Sequence, residues 1–135
     1  MRIFAALALS CWASAIEAAD LRKLTVDDMW SVKRVGQPAL SPDGQTVAYS
    51  VAVYDMEENR SNGDIWVMPV AGGPARRLTT NKASDSSPVW SPDGKRLAFV
   101  SRREGDAASQ LYVLPLDGGE PERVTDLPLP VSNPK

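Results

Sequence analysis

A chain of 135 residues, 43% apolar and 24% charged, has the composition of an ordinary globular protein and is too hydrophobic for a disordered one. Its 15 basic and 17 acidic side chains leave a formal net charge of -2, with no block of like charge, which argues against capture of nucleic acid or of an anionic membrane surface. There is no histidine to serve as a general base near neutral pH, and the single cysteine, Cys11, falls within what reads as a targeting segment.

In chain order, the first element is residues 1–18. Met1-Arg2 is followed by an apolar run from Ile3 to Ala13, broken only by Ser10 and Cys11, and then by the small residues Ala13-Ser14-Ala15 and by Ala18. A positive start, an apolar stretch of about 7–15 residues and an A-x-A-like site describe a secretory signal peptide. Glu17 and Asp20 end the run well short of the roughly 20 apolar residues that a membrane span requires. The expectation is export to the periplasm or the medium, with cleavage after Ala15 or Ala18. A competing reading takes Ala8-Leu9-Ser10-Cys11 as a loose lipobox, with a lipid anchor on Cys11. Cleavage at Ala18 leaves a mature chain without a thiol.

Residues 19–36 read as a lead-in. Thr25-Val26-Asp27-Asp28-Met29-Trp30 predicts a short helix, with Thr25 as N-cap and acidic residues in the first turn, where the helix dipole favours them. Gly36 ends this segment, and the lead-in is expected to pack across one face of the propeller.

From residue 37 the chain repeats itself. Pro38-Ala39-Leu40-Ser41-Pro42-Asp43-Gly44 returns as Pro88-Val89-Trp90-Ser91-Pro92-Asp93-Gly94, an offset of 50 (88 - 38). Ile65-Trp66-Val67-Met68-Pro69-Val70-Ala71-Gly72-Gly73 returns as Leu111-Tyr112-Val113-Leu114-Pro115-Leu116-Asp117-Gly118-Gly119, an offset of 46 (111 - 65). The difference of four is expected in a polar loop, Tyr54 to Asp64, where an insertion lies outside the strands. Alternating strands follow each Ser-Pro-Asp-Gly turn. A period near 45 residues with four short strands per unit is the mark of a β-propeller blade. The fold class is therefore all-β: a partial propeller of two four-stranded blades, about residues 37–80 and 85–126, with a third beginning near residue 130. In the turns, proline presets φ, aspartate bonds nearby backbone and glycine takes the positive φ. Tyr49, Trp66, Trp90, Phe99 and Tyr112 are expected to fill the faces between blades.

The offset of 46 sets Pro134 opposite Pro88, so Lys135 falls in the approach to a third blade. Propellers close with about 4–8 blades, and repeat units need about three neighbours for independent stability. The expectation is an incomplete ring, marginally folded alone, with one open blade face and two open edges through which it self-associates.

From Leu24 onward the chain resembles the N-terminal propeller of the prolyl oligopeptidase family of serine peptidases, most of all its exported acylaminoacyl-peptidase and dipeptidyl-peptidase branch. The likeness rests on Leu24 to Trp30, on Val35-Gly36-Gln37-Pro38 running into the first turn, and on Tyr54-Asp55-Met56-Glu57-Glu58-Asn59. It continues through Asp64-Ile65-Trp66-Val67, Trp90-Ser91-Pro92-Asp93-Gly94 and Phe99 to Gly105. The resemblance implies a propeller that gates peptide substrates for a C-terminal α/β-hydrolase domain. The chain has no G-x-S-x-G elbow and no histidine, so none of that family's triad carries over. The expectation is a non-catalytic chain with no catalytic, cofactor-binding or metal residues, no cofactor, no membrane span and no nucleic-acid partner.

Other candidates reduce to structure. Glu57-Glu58 resembles a dipeptidyl-peptidase glutamate pair but sits in a first-blade hairpin loop, where solvated charge is the rule. The Ser-Pro-Asp-Gly turns carry Gln45 and Lys95 where sialidase aspartate boxes need glycine. Asp27, Asp28, Asp43, Asp64 and Asp93 are too scattered for a calcium loop, and Gly72-Gly73-Pro74 is no phosphate loop. Arg76-Arg77 and Arg102-Arg103 read as strand-end decoration. The second functional reading is a TolB-type periplasmic propeller that binds protein partners; a closed β-sandwich leaves the repeat unexplained.

Overall fold

A computed structural model describes residues 22–135, which form one short helix and two antiparallel sheets packed face to face. The signal peptide read over residues 1–18, and Cys11 with it, lies outside the described residues.

Helix α1 spans Val26–Ser31. Thr25 is extended and caps it: its hydroxyl accepts the Asp28 amide at 3.3 Å, while the Asp28 carboxylate accepts the Thr25 amide at 2.8 Å. This reciprocal pair satisfies two otherwise orphaned donors. Arg22 forks onto the same carboxylate, 2.5 Å from each oxygen, and with Thr25 holds the Asp28 carboxyl below its usual range. Among the strands, the helix touches β3. Trp30 stacks on Tyr54 with ring centroids 4.5 Å apart, which ties the lead-in to one hairpin of the first sheet.

The first sheet contains β1 (Arg34–Val35), β2 (Ala39–Leu40), β3 (Thr46–Asp55), β4 (Arg60–Pro69) and β5 (Arg76–Arg77). Both β1 and β2 pair with β3, one after the other, so together they act as a single interrupted edge strand. The sheet thus begins upstream of the expected start at 37, because Val35 pairs with Val51 and the Gly36 amide donates to Ser50 at 2.8 Å. The second sheet runs β6 (Asp85–Trp90), β7 (Arg96–Ser101), β8 (Gln110–Pro115) and β9 (Glu122–Arg123) in that order. Strand β6 carries an irregularity between Ser86 and Val89, at the place where β1 and β2 part. These are the two blades, and the bonds that close their Ser-Pro-Asp-Gly turns recur. Ser41 Oγ and Ser91 Oγ each donate to the turn aspartate at 2.5 Å, and the Asp43 and Asp93 carboxylates each accept the amide two residues on at 3.0 Å. Gly44 and Gly94 take φ of 71° and 69°, the left-handed region that glycine enters without a Cβ clash.

The four extra residues do not lie in a loop. Pairing continues through Ala52↔Gly63, Val53↔Asn62, Tyr54↔Ser61 and Asp55↔Arg60, so the β3–β4 hairpin is longer and only residues 56–59 turn. The alternation of Val51, Val53 and Tyr54 sustains the ladder, and the Asp55 carboxylate closes the turn by accepting the Glu57 and Glu58 amides at 2.9 and 3.0 Å.

The core is the seam between the sheets. Ala48, Ile65 and Val67 of the first face Leu97, Phe99, Tyr112 and Leu114 of the second, with Leu78, Trp90 and Leu116 packed against them. Tyr49 and Trp66 are cross-strand partners one residue out of phase with Ala48 and Val67, so strand alternation turns them to the opposite, free face. Among the described residues, each sheet therefore keeps one uncovered face, two in all rather than the expected one.

At the seam Gly63 leaves no room for a side chain: a Cβ there stands 3.0 Å from the Asp85 carbonyl oxygen and 2.9 Å from Ser84 Oγ. Gly63→Ala is expected to force the sheets apart locally and to cost about 1–3 kcal/mol, measured as a lowered urea midpoint; an unchanged midpoint would show that β6 yields freely.

Candidate functional site

Three features of the seam bear on function. The first is a cleft of about 290 Å³ bordered by Gln37, Pro38, Ser87, Pro88, Asn133 and Pro134. Pro38, Pro88 and Pro134 are equivalent positions in three successive repeat units (38 + 50 = 88; 88 + 46 = 134). Ser87 and Asn133 share one unusual backbone state, with φ of 53° and 48°. Equivalent points of successive blades converge on one cleft, as expected where blades are arranged around a common axis.

The second lies at the turn end, where Pro42, Asp43, Trp90, Asp93 and Leu116 border a groove of about 320 Å³. Here Trp90 Nε1 donates to the Ala39 carbonyl at 2.9 Å, bonding the second blade to the first strand of the previous one. The turn aspartates use one carboxylate oxygen each, Oδ1, to close their own turns. The Ser41 hydroxyl and the Gln45 amide hold Asp43 below the usual carboxylate range, and Ser91 and the Lys95 amide do the same for Asp93. Trp90→Phe keeps the ring and removes the donor, at an expected cost of about 1 kcal/mol in thermal or urea unfolding; no loss would make the bond incidental.

The third is polar and buried. Asp106 accepts from the Tyr112 hydroxyl at 2.8 Å, from the Arg103 amide at 2.8 Å and from Arg123 at 2.9 Å. Burial alone pushes the Asp106 carboxyl up, but these donors together hold it below its usual range. Asp85 is the opposite case. It is fully buried, neither carboxylate oxygen has a hydrogen-bond partner, and Arg103 stands 3.9 Å off. Burial raises its carboxyl against the weaker pull of the nearby Ser101 and Thr79 hydroxyls and of Arg103. A folded-state pKa above the unfolded one means that the contribution of Asp85 to stability is greatest below about 4 and falls as pH rises through the folded value. Asp85→Asn is expected to flatten that decline in urea midpoints measured across pH; a slope that survives would place the titration elsewhere.

Arg103 corrects the reading of Arg102-Arg103 as decoration. Its guanidinium lies 4.5 Å from the Tyr112 ring centroid and 5.8 Å from that of Phe99, and its side chain is 18% exposed. Arg77 likewise pairs with buried Asp64 at 2.6 Å, leaving only Arg76 of its doublet as strand-end decoration. Glu57 and Glu58 sit exposed at the hairpin tip, Glu58 paired with Arg60. Asp27 and Asp28 serve the helix start. Gly72 and Gly73 take φ of 93° and 135° in a turn. The structure brings none of these together at the axial cleft. Among the described residues, no three acidic, histidine or cysteine side chains are placed to share a metal ion. Nothing in the sequence singles out Asp85 and Asp106; each sits in a polar run, Ser84 to Ser87 and Glu104 to Ser109, that reads as loop.

Residues 60–130 match the family described as the tricorn protease N-terminal β-propeller domain, and the chain belongs to that family. Its relatives are peptidases. The uncharacterized peptidase YuxL of Bacillus subtilis is 39% identical over 111 residues, covering 82% of this chain and 17% of the relative. Dipeptidyl-peptidase 5 of Porphyromonas gingivalis is 33% identical over 82 residues, covering 61% and 12%. The chain thus spans no more than about a sixth of these relatives. Among solved structures, a TolB homologue from Agrobacterium tumefaciens superposes with a TM-score of 0.55 at 29% identity, covering 71% of this chain and 31% of that one.

Proposed function

We propose that the chain is the N-terminal part of a substrate-gating propeller in an exported peptidase of the prolyl oligopeptidase type, and that it performs no catalysis alone. The observation that carries this reading is the axial cleft, where Pro38, Pro88 and Pro134 of three repeat units meet. Such a wall, continued around a ring, encloses a central channel through which a peptide reaches a hydrolase domain. The match to peptidases supports it, and so does the long β3–β4 hairpin with Glu57-Glu58-Asn59 at its tip. Residues 1–18, with their charged start and small-residue site, support export.

The alternative, a TolB-type module that binds protein partners, draws on the Agrobacterium likeness. Reading the gene beyond Lys135 separates the two. Further blades followed by a G-x-S-x-G elbow and a histidine support the peptidase, whereas a frame that ends after its blades gives the case to the binding module. The purified chain is expected to show no turnover of aminoacyl or acyl-peptide substrates, and turnover would refute the non-catalytic reading.

A further inference from the structure

The two blades disagree in chemistry at one cluster of equivalent positions. The offset of 50 sets Asp85, Ser101 and Arg103 of the second blade opposite Val35, Val51 and Val53 of the first (35 + 50 = 85; 51 + 50 = 101; 53 + 50 = 103). Strand pairing reveals the correspondence, because Val35 lies upstream of the repeat as read from residue 37: Asp85 pairs with Ser101 as Val35 pairs with Val51. The third unit has a valine again, Val131, 46 residues beyond Asp85 (85 + 46 = 131). A polar trio thus stands where the neighbouring units are apolar, although buried charge destabilises unless it is paired and fully bonded.

The trio faces the first blade. Ser101 lies on the same side of β7 as Leu97 and Phe99, which pack into the seam. Four buried atoms are left without a hydrogen-bond partner there: both carboxylate oxygens of Asp85, Ser101 Oγ and Arg103 Nε. The Arg103 guanidinium stops 3.9 Å from the Asp85 carboxylate, beyond direct bonding and at a separation that solvent bridges.

We propose that this end of the seam is a binding site for internal water: a molecule between the blades accepts from Arg103 Nε, donates to the Asp85 carboxylate and takes Ser101 Oγ as its third partner. About three partners is the usual complement of a buried water. Charge favours a neutral ligand. Asp85 is matched by Arg103, and the nearby Asp64 pairs with Arg77 at 2.6 Å, so an added cation would stand uncompensated. Size favours a small one. Thr79, Arg103 and Leu114 border a cleft of about 250 Å³, but Asp85 is not among its walls and is fully buried, so only a small molecule passes Arg103 to reach it. The site lies inside the seam, so further blades added to the uncovered faces leave it unchanged, and it is independent of the peptidase reading.

The test measures the water itself, by oxygen-17 relaxation dispersion of the solvent around the full chain and by a crystal structure. Asp85→Val/Ser101→Val/Arg103→Val copies the first blade, and its dispersion amplitude is expected to fall by the contribution of at least one long-lived water. The wild-type crystal is expected to show a solvent peak within about 3.2 Å of both Arg103 Nε and the Asp85 carboxylate. If the triple variant loses its strand circular-dichroism spectrum, the wild-type density decides alone. Equal amplitudes in a folded variant would overturn the site, as would a structure in which Ser101 and Thr79 bond Asp85 directly with no solvent peak on Arg103. A peak about 2.4 Å from the carboxylate would mark a cation and overturn the neutral ligand.

Discussion

Phe99→Ala is expected to cost about 3–5 kcal/mol, the loss typical of truncating a buried phenylalanine and leaving a cavity that its neighbours only partly fill. Phe99 is fully buried at the centre of the seam, stacked 6.0 Å from the Tyr112 centroid and within reach of the Arg103 guanidinium. Small domains hold about 5–15 kcal/mol in all, and this one rests on a single seam. The variant is therefore expected to lose most of its cooperative urea transition at room temperature. Its internal control is Tyr49, the residue 50 positions earlier, which has the same place in its blade but faces outward. Tyr49→Ala is expected to cost less than half as much. Equal losses would mean that the free face of the first blade is covered as well as the seam.

Asp106→Ala has the second largest expected effect, about 3 kcal/mol, because it removes the acceptor shared by Tyr112, the Arg103 amide and Arg123. The value sits at the low end for a buried pair, since the Arg123 side chain is 39% exposed and water compensates part of its loss. The pH signature is opposite to that of Asp85. A carboxyl held below its unfolded pKa contributes stability that is complete above about 4 and is lost as pH falls through the folded value. Asp106→Ala is thus expected to be most damaging near neutrality and to converge on the wild type in acid. A difference in urea midpoint that stays constant from about pH 7 to about pH 3 would sink this account.

Much of the fold was legible because the repeat encodes it twice. Ser41 to Gly44 and Ser91 to Gly94 predict turns whose bonds recur at the same distances, and Thr25 predicts a cap that forms. What escaped were features decided by three-dimensional neighbours. The hairpin extension looked like a loop because Ser61, Asn62, Gly63 and Asp64 are polar or small, yet their partners on β3 hold them in register. Tyr49 and Trp66, expected like Phe99 and Tyr112 on the faces between blades, lie on the first blade's outer face, and only the phase of a strand against the next blade decides which of the two faces a large residue takes. Arg103 looked like strand-end decoration and Asp85 carried no signal at all, since burial depends on which blade lands on them and no local pattern records it.

The Ser-Pro-Asp-Gly turns have a further consequence. Each is closed by bonds among its own six residues, Ser41 to Thr46 or Ser91 to Arg96, and the backbone bond each receives from outside, the Val70 amide to the Gln45 carbonyl or the Leu116 amide to the Lys95 carbonyl, comes from its own blade. A corner that completes itself can be copied, inserted or lost in the gene without rewiring its surroundings. Lineages built from such corners are free to change the size of the ring by whole-unit duplication, and natural selection then has only the new contacts between units left to refine.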